Sequence, residues 1–135
     1  MLDMFLEVTP VPKGRPRFSR GVVYTPAKTH KAEKDIRSLL LCELRKTGVK
    51  ITAKPVCVKM RFNYIYPRRL TKHDKLLADL DMLYKVSRPD IDNLVKLVCD
   101  AMNGLVYEDD NQVVKLFAEK VYSKREGIEL KVLEL

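Results

Sequence analysis

The sequence of 135 residues has no long apolar run and no continuous apolar leader. In its N-terminal half, the apolar run with the fewest interruptions is Leu39 to Cys42, whereas a helix that spans a bilayer needs roughly 18 apolar residues. The chain opens with MLDMFLE, which places acidic residues where a secretory signal has basic ones. We therefore expect an intracellular, cytoplasmic protein without a membrane span.

Cysteine and histidine are few and scattered. The cysteines Cys42, Cys57 and Cys99 lie among aliphatic residues, without a CxxC motif or a nearby histidine. This pattern predicts three buried reduced thiols and argues against a zinc site. His30 and His73 lie in lysine-rich surroundings, so we expect solvated side chains and no histidine-based catalysis.

The chain has many charged residues, and basic residues outnumber acidic ones. Lys and Arg number 26 against 18 Asp and Glu, which gives a formal net charge of +8. With 46% hydrophobic and 33% charged residues, the composition is that of an ordinary folded protein, and the length predicts one compact domain over residues 1–135. An excess of positive charge indicates a polyanionic partner such as nucleic acid.

The apolar pattern alternates between the period of a strand and the period of a helix. The predicted strands comprise residues 2–8, 22–24, 55–67, 113–122 and a last segment from 127 or 128 to 135. The predicted helices comprise residues 26–46, part of 76–83, and 91–102. This order predicts an α/β (α+β) domain with a mixed β-sheet and two main helices. We interpret the charged residues 68–87 as an excursion from the core.

A basic, proline-rich turn at residues 11–20 is predicted to join the first strand to the short strand 22–24 as a hairpin. After the hairpin, Thr25 is expected to cap the first helix with Pro26 at its first position, and Gly48 to end it. The candidate DNA-binding residues of the hairpin are Lys13, Arg15, Arg17 and Arg20, with Phe18 and Tyr24 available to stack on bases. A merely solvated basic hairpin is the alternative.

Several carboxylates gather around residue 90. Asp90 and Asp92 are two residues apart where Pro89 ends an extended segment and a helix begins, so both can converge beside the helix N-terminus. Asp92, Lys96 and Asp100 follow at helical i, i+4 spacing and form one row on the polar face. The alternative is an N-cap aspartate with an ordinary Asp-Lys helix pair.

Two further carboxylates, Asp109 and Asp110, follow in an acidic turn. Adjacent like charges repel unless a cation gathers them, and oxygen ligands of this kind suit Mg²⁺ or Mn²⁺. A solvated turn is the alternative for this segment taken alone. A helix-loop-helix calcium site does not fit, because Leu94 and Val95 occupy positions 5 and 6 counted from Asp90.

Three motifs together resemble the RusA-type Holliday junction resolvases. They are RPDIDNLVK at 88–96, DAMNG at 100–104 and DDNQV at 109–113, with a weaker match in PKGRPR at 12–17. The resemblance implies that Asp90, Asp92 and Asp110 are metal ligands and that Lys96 is the catalytic lysine, with Asp109 a weaker ligand candidate. Asp100 is left as a supporting or structural residue. The segment 68–87 departs from the family pattern.

The resemblance implies a Mg²⁺-dependent endodeoxyribonuclease that resolves four-way DNA junctions in recombination and repair, encoded by a bacterium or a prophage. A nuclease for flaps or forks, and a non-catalytic basic DNA-binding protein, are the alternatives. Paired nicks on a symmetric junction need two active sites at a fixed separation, so a two-fold homodimer is expected. The exposed edge of the N-terminal or C-terminal strand is the candidate interface.

Overall fold

The computed structural model of the protein describes residues 1–14, 17–24 and 27–135, and within 17–19 and 22–24 it describes the backbone alone. Its elements are β1 (Leu2–Leu6), β2 (Arg17–Ser19), β3 (Val22–Tyr24), α1 (Ala27–Thr47), β4 (Val56–Ile65), α2 (Lys72–Asp79), α3 (Ile91–Met102), a 3₁₀ turn (Asp110–Gln112), β5 (Val113–Ser123) and β6 (Gly127–Glu134). The predicted cap at Thr25 and Pro26 and the predicted DNA contact at Arg15 lie outside the described residues. No helix of the described ranges is long and apolar enough to cross a membrane.

Contacts divide the chain into two units. The sheet unit comprises residues 1–10, 55–88 and 113–135, and the helical unit comprises residues 11–54 and 89–112. The mixed sheet and the three helices confirm the predicted α+β class.

The sheet unit contains a four-stranded sheet in the order β1-β6-β4-β5. β4 runs parallel to β5, and the other two pairings are antiparallel. One face is buried, as the alternation of apolar residues predicts, with Val58, Met60 and Phe62 of β4 almost inaccessible to solvent. The C-terminal strand β6 is paired on both sides, so the prediction that it offers an exposed edge was wrong; β1 and β5 are the edges.

The charged segment 68–87 is more closely tied to the sheet than we expected. Thr71 caps α2 by accepting a hydrogen bond from Asp74 N, and Ala78 of α2 is buried. Farther along, Lys85 N donates to Lys120 O at 3.0 Å, and Tyr122 N donates to Leu83 O at 2.9 Å. Part of the predicted excursion therefore covers the outer edge of β5 near its end.

The helical unit is built on α1 and α3, which pack together. Residues at 3.6-residue spacing bury one face of each helix, among them Ile36 and Leu40 of α1. Arg37 of α1 donates from Nη1 to the carbonyls of Ala101, at 3.0 Å, and Asn103, at 2.8 Å. A guanidinium at this place satisfies carbonyls that the end of α3 leaves unpaired, and it opposes the negative end of the helix dipole.

The remaining predictions about local structure have mixed outcomes. The predicted hairpin between residues 2–8 and 22–24 was wrong: β1 pairs with β6, and β3 pairs instead with β2, which lies inside the predicted turn. Arg20 and Gly21 have φ values of 49° and 77°, which suit a tight two-residue turn between β2 and β3. Cys57 and Cys99 are buried and free, as predicted. Cys42 is free but exposed, because it lies two residues beyond the buried Leu40 and so on the other side of α1.

Candidate active site

The N-terminus of α3 carries the two central carboxylates. Asp90 is the N-cap residue, with an extended backbone (φ −72°, ψ 140°), and its carbonyl accepts the first helical bond from Leu94 N at 3.3 Å. Its side chain makes no capping hydrogen bond. Asp92 lies in the first turn, and both aspartates are exposed, while Leu94, two positions after Asp92 and so on the opposite face from it, is fully buried. The apolar stripe of α3 thus turns its carboxylates toward solvent.

Lys96 lies between two carboxylates. Its Nζ is 3.0 Å from Asp100 Oδ1, at the predicted i, i+4 spacing, and 3.6 Å from Asp110 Oδ2. The hydrogen bond to Asp100 raises the pKa of Lys96 above its usual value, and the charge of Asp110 adds to that effect, against a smaller opposing effect of partial burial. Lys96 is therefore a cation at neutral pH, and its side chain is 57% exposed.

Lys13 reaches the same carboxylate from the N-terminal segment. Its Nζ forms ion pairs with Glu33 Oε1 and, at 3.3 Å, with Asp100 Oδ2. Burial lowers the pKa of Lys13, but the hydrogen bonds to Glu33 and Asp100 outweigh it and raise that pKa overall. An ammonium that the sequence analysis assigned to DNA thus contacts two carboxylates of its own chain.

The acidic turn is held by a glutamine that the sequence analysis did not single out. Gln112 Nε2 donates to the carbonyls of Thr52 and Lys54, at 2.9 Å each, and its Oε1 accepts from Asp109 N at 3.0 Å. These bonds fix the 3₁₀ turn that carries Asp110. The available signal was the position of Gln112 inside the DDNQV motif.

The structure brings some of the predicted site residues together and leaves others apart. Lys96, Asp100 and Asp110 are in contact, with Lys13 beside them. Within the described ranges, no three His, Cys, Asp or Glu side chains form a group that could hold a metal ion. The assignment of Asp90, Asp92 and Asp110 as a joint ligand set stays a prediction, as does a contribution of Asp109. Their donor chemistry fits Mg²⁺, since all are carboxylates and the side chain of Asp90 is not used as a helix cap.

The predicted DNA-binding residues are described only in part. Arg20 lies exposed in the hairpin turn, while the side chain of Arg17 and all of Arg15 lie outside the described part of the structure. Arg61 of β4, another basic residue of the chain, contacts Asp81, Glu119 and Glu129. Its charge is thereby compensated within the sheet unit.

Comparison with known proteins agrees with the motifs. The family model described as endodeoxyribonuclease RusA matches residues 7–133. The protein YqaN of Bacillus subtilis (strain 168), described as uncharacterized, is 36% identical over 132 residues, covering 93% of this chain and 91% of that protein. The crossover junction endodeoxyribonuclease rusA of Lactococcus phage r1t is 45% identical over 53 residues, covering 38% of this chain and 40% of that protein. The chain therefore belongs to the RusA family of endodeoxyribonucleases.

Proposed function

We propose that this chain is a Mg²⁺-dependent endodeoxyribonuclease that resolves four-way DNA junctions by paired phosphodiester hydrolysis, in recombination and repair. The observation that carries the proposal is the placement of a protonated Lys96 between carboxylates, near the start of the helix that presents Asp90 and Asp92 to solvent. Family membership supports the reaction class. The identified phage relative supports the junction as substrate.

The proposed roles follow from the chemistry of the side chains. Asp90, Asp92 and Asp110 would hold Mg²⁺, with Mn²⁺ as a substitute. The ion, when bound, supplies Lewis acidity toward a phosphate oxygen and a more acidic water molecule. The positively charged ammonium of Lys96 would contact a non-bridging phosphate oxygen and stabilise the negative charge that develops during hydrolysis.

DNA binding would draw on the net charge of +8 and on the hairpin residues Arg15, Arg17 and Arg20. Contacts of lysine and arginine with phosphates release condensed counterions, so affinity should fall steeply with salt. A merely solvated hairpin would contribute nothing to that dependence. Substitution of Arg20 by Gln, measured across a salt series, separates the two readings, because a lost phosphate contact lowers the slope by about one.

The proposed assembly is a two-fold homodimer. Of the two sheet edges, β5 exposes more large apolar side chains: Val114, Leu116 and Phe117 expose between 45% and 60% of their surface. The outward side chains of β1 include the charged Asp3. Because exposed apolar patches mark protein interfaces, we favour the β5 edge. Sedimentation of Leu116→Lys beside wild type tests this, and an unchanged dimer would redirect the search to β1.

One experiment distinguishes the proposed function from two alternatives. A broader nuclease would cut flaps and forks as well as junctions, and a non-catalytic DNA-binding protein would bind all of them without cutting. We would incubate the protein with an immobile four-way junction, a flap, a fork and a linear duplex, in Mg²⁺ or EDTA. The expected result is paired, metal-dependent nicks on the junction alone.

The matched variant for this experiment is Asp92→Asn, which keeps the shape of the side chain and removes its charge. We expect it to bind the junction and not to cut it. Equal cutting of every branched substrate would establish the broader nuclease. Binding without nicks by a folded wild-type protein, with or without metal, would replace the proposed function with DNA binding alone.

A further inference from the structure

Five charged side chains in the helical unit form a chain of alternating sign. In order they are Glu33, Lys13, Asp100, Lys96 and Asp110, and each contacts the next. Asp100 is the central member, and its two oxygens are divided: Oδ1 accepts from Lys96 and Oδ2 pairs with Lys13. The position of the Lys96 ammonium therefore depends on a carboxylate that a second lysine also holds.

Exposure changes along this chain. The side chains of Lys13, Glu33 and Asp100 are 23%, 21% and 17% exposed, whereas that of Lys96 is 57% exposed. Ion pairs that are shielded from water are screened less than those at the surface. Glu33, Lys13 and Asp100 thus form the more shielded part of the chain, and Lys96 is its most exposed member, which a phosphate can approach.

The backbone around Lys13 is fixed on both sides. Lys13 N donates to Asn93 O of α3 at 2.8 Å, and Gly14 N donates to Thr29 Oγ1 of α1 at 2.8 Å. Thr29 is buried. A lysine held in this way loses little further freedom when its ammonium pairs with Asp100. These contacts suit an internal support better than a mobile side chain that follows a DNA backbone.

We propose that Lys13 and Asp100 are positioning residues for Lys96, and that Lys13 does not contact DNA. The proposal rests on the proposed function, since it assigns a role within that active site. Lys13 compensates one oxygen of Asp100, and Asp100 then holds Lys96 through the other. Without Lys13, Asp100 would be compensated by Lys96 alone, and it would then draw Lys96 inward and away from an approaching phosphate.

The test compares Lys13→Met, Lys13→Arg, Lys96→Met and the double variant Lys13→Met/Lys96→Met. For each folded variant we would measure the single-turnover cleavage rate at saturating junction and the junction Kd across a salt series. Lys13→Met should lower the rate about tenfold or more, as loss of a supporting partner typically does. Its Kd should stay within about twofold, with an unchanged salt slope, because no phosphate contact is lost.

Two further results are expected. Lys13→Arg should recover most of the rate, because the guanidinium can still bridge Glu33 and Asp100. The double variant should cleave no more slowly than Lys96→Met, because residues that act through one group are not additive.

The proposal is overturned if Lys13→Met weakens binding and reduces the salt slope by about one while the saturated rate is unchanged, which would identify a phosphate contact. Additive losses in the double variant would overturn it as well. If Lys13→Met does not fold, Lys13→Arg and Asp100→Asn carry the same comparison. Failure of the proposed function is a separate result, since the wild-type protein itself would then leave every junction intact.

Discussion

Two sets of carboxylates, one in each unit, differ in how their charge is compensated. In the sheet unit, Arg61 gathers three carboxylates: its Nε is 2.6 Å from Glu119, and its Nη1 is 3.1 Å from both Asp81 and Glu129. The hydrogen bond to Glu119, outweighing the effect of burial, raises the pKa of Arg61 further above its already high value. Every acid of this cluster has a cationic partner.

The carboxylates of the helical unit are compensated less completely. Asp100 and Asp110 pair with lysines, but among the described residues no ion pair involves Asp90 or Asp92. Exposed carboxylates without a cationic partner can accept a divalent ion, whereas those around Arg61 would first have to give up their guanidinium. Asp90 and Asp92 therefore differ from the acids around Arg61 in their unpaired charge.

The largest expected effect separates the two sets of carboxylates by activity. We expect Asp90→Asn to lower junction cleavage by at least about 10³-fold, because it removes a charge proposed to hold the catalytic ion. Glu129→Gln, the matched change in the Arg61 cluster, should leave the rate of the folded enzyme unchanged. The measurement is single-turnover cleavage of a labelled junction. Equal losses of cleavage rate in Asp90→Asn and Glu129→Gln would contradict a special role for Asp90.

The Arg61 cluster can be broken by Arg61→Met. This change leaves Asp81, Glu119 and Glu129 facing one another without a cation, so we expect a loss of about 1–3 kcal/mol in the free energy of unfolding. The exposed carboxylates then resemble a metal site, and Mn²⁺ should restore part of the stability. Urea unfolding with and without Mn²⁺ checks both effects. A variant as stable as wild type would show that the cluster is not structural.

The Lys13 ion pairs should be sensitive to alkali. Because the folded-state pKa of Lys13 is raised above its ordinary value of 10.5, its contribution is fully present below that pH and is lost as the pH rises through the folded-state pKa. The difference in unfolding free energy between wild type and Lys13→Met should therefore be constant from pH 7 to 10 and shrink above about 10.5. A difference that shrinks between pH 7 and 9 would contradict this assignment.

The smallest expected effect concerns the thiols, which belong to neither set. Cys42 is exposed, whereas Cys57 and Cys99 are buried, and burial raises the pKa of Cys99. We expect one thiol to react rapidly with a maleimide in the folded protein, with no loss of cleavage, and the other two after unfolding. Peptide mapping identifies the modified residue. Rapid labelling of Cys99 in the folded state would contradict its burial.

Patterns of apolar residues close in sequence predicted most of the helices and strands, and helical spacing predicted the contact within α3. Alternation located β4, and apolar spacing located α1 and α3, because both signals come from residues close in sequence. The Lys96–Asp100 pair follows from one helical turn in the same way. The structure does not test the metal-ligand roles of Asp90, Asp92 and Asp110, which stay predictions.

Features that depend on tertiary structure could not be predicted in this way. The interior position of β6 results from the order of the strands in the sheet. The alternation of apolar and polar residues along β6 predicts a strand but not which strands lie beside it. The contact of Lys13 with Asp100 joins residues far apart in the chain, and nothing in the sequence of either indicates the other. The pairing of Leu83 and Lys85 with β5 was missed because the charged composition around them indicated an excursion from the core.

Binding of Mn²⁺ would show which carboxylates can hold a divalent ion. We would titrate the ion into the wild-type protein, an Asp90→Asn/Asp92→Asn variant and a Glu119→Gln/Glu129→Gln variant, and follow free Mn²⁺ by electron paramagnetic resonance. We expect the wild type and the sheet-unit variant to bind the ion and the helical-unit variant not to bind it. Retained binding by Asp90→Asn/Asp92→Asn, together with loss in Glu119→Gln/Glu129→Gln, would contradict this expectation.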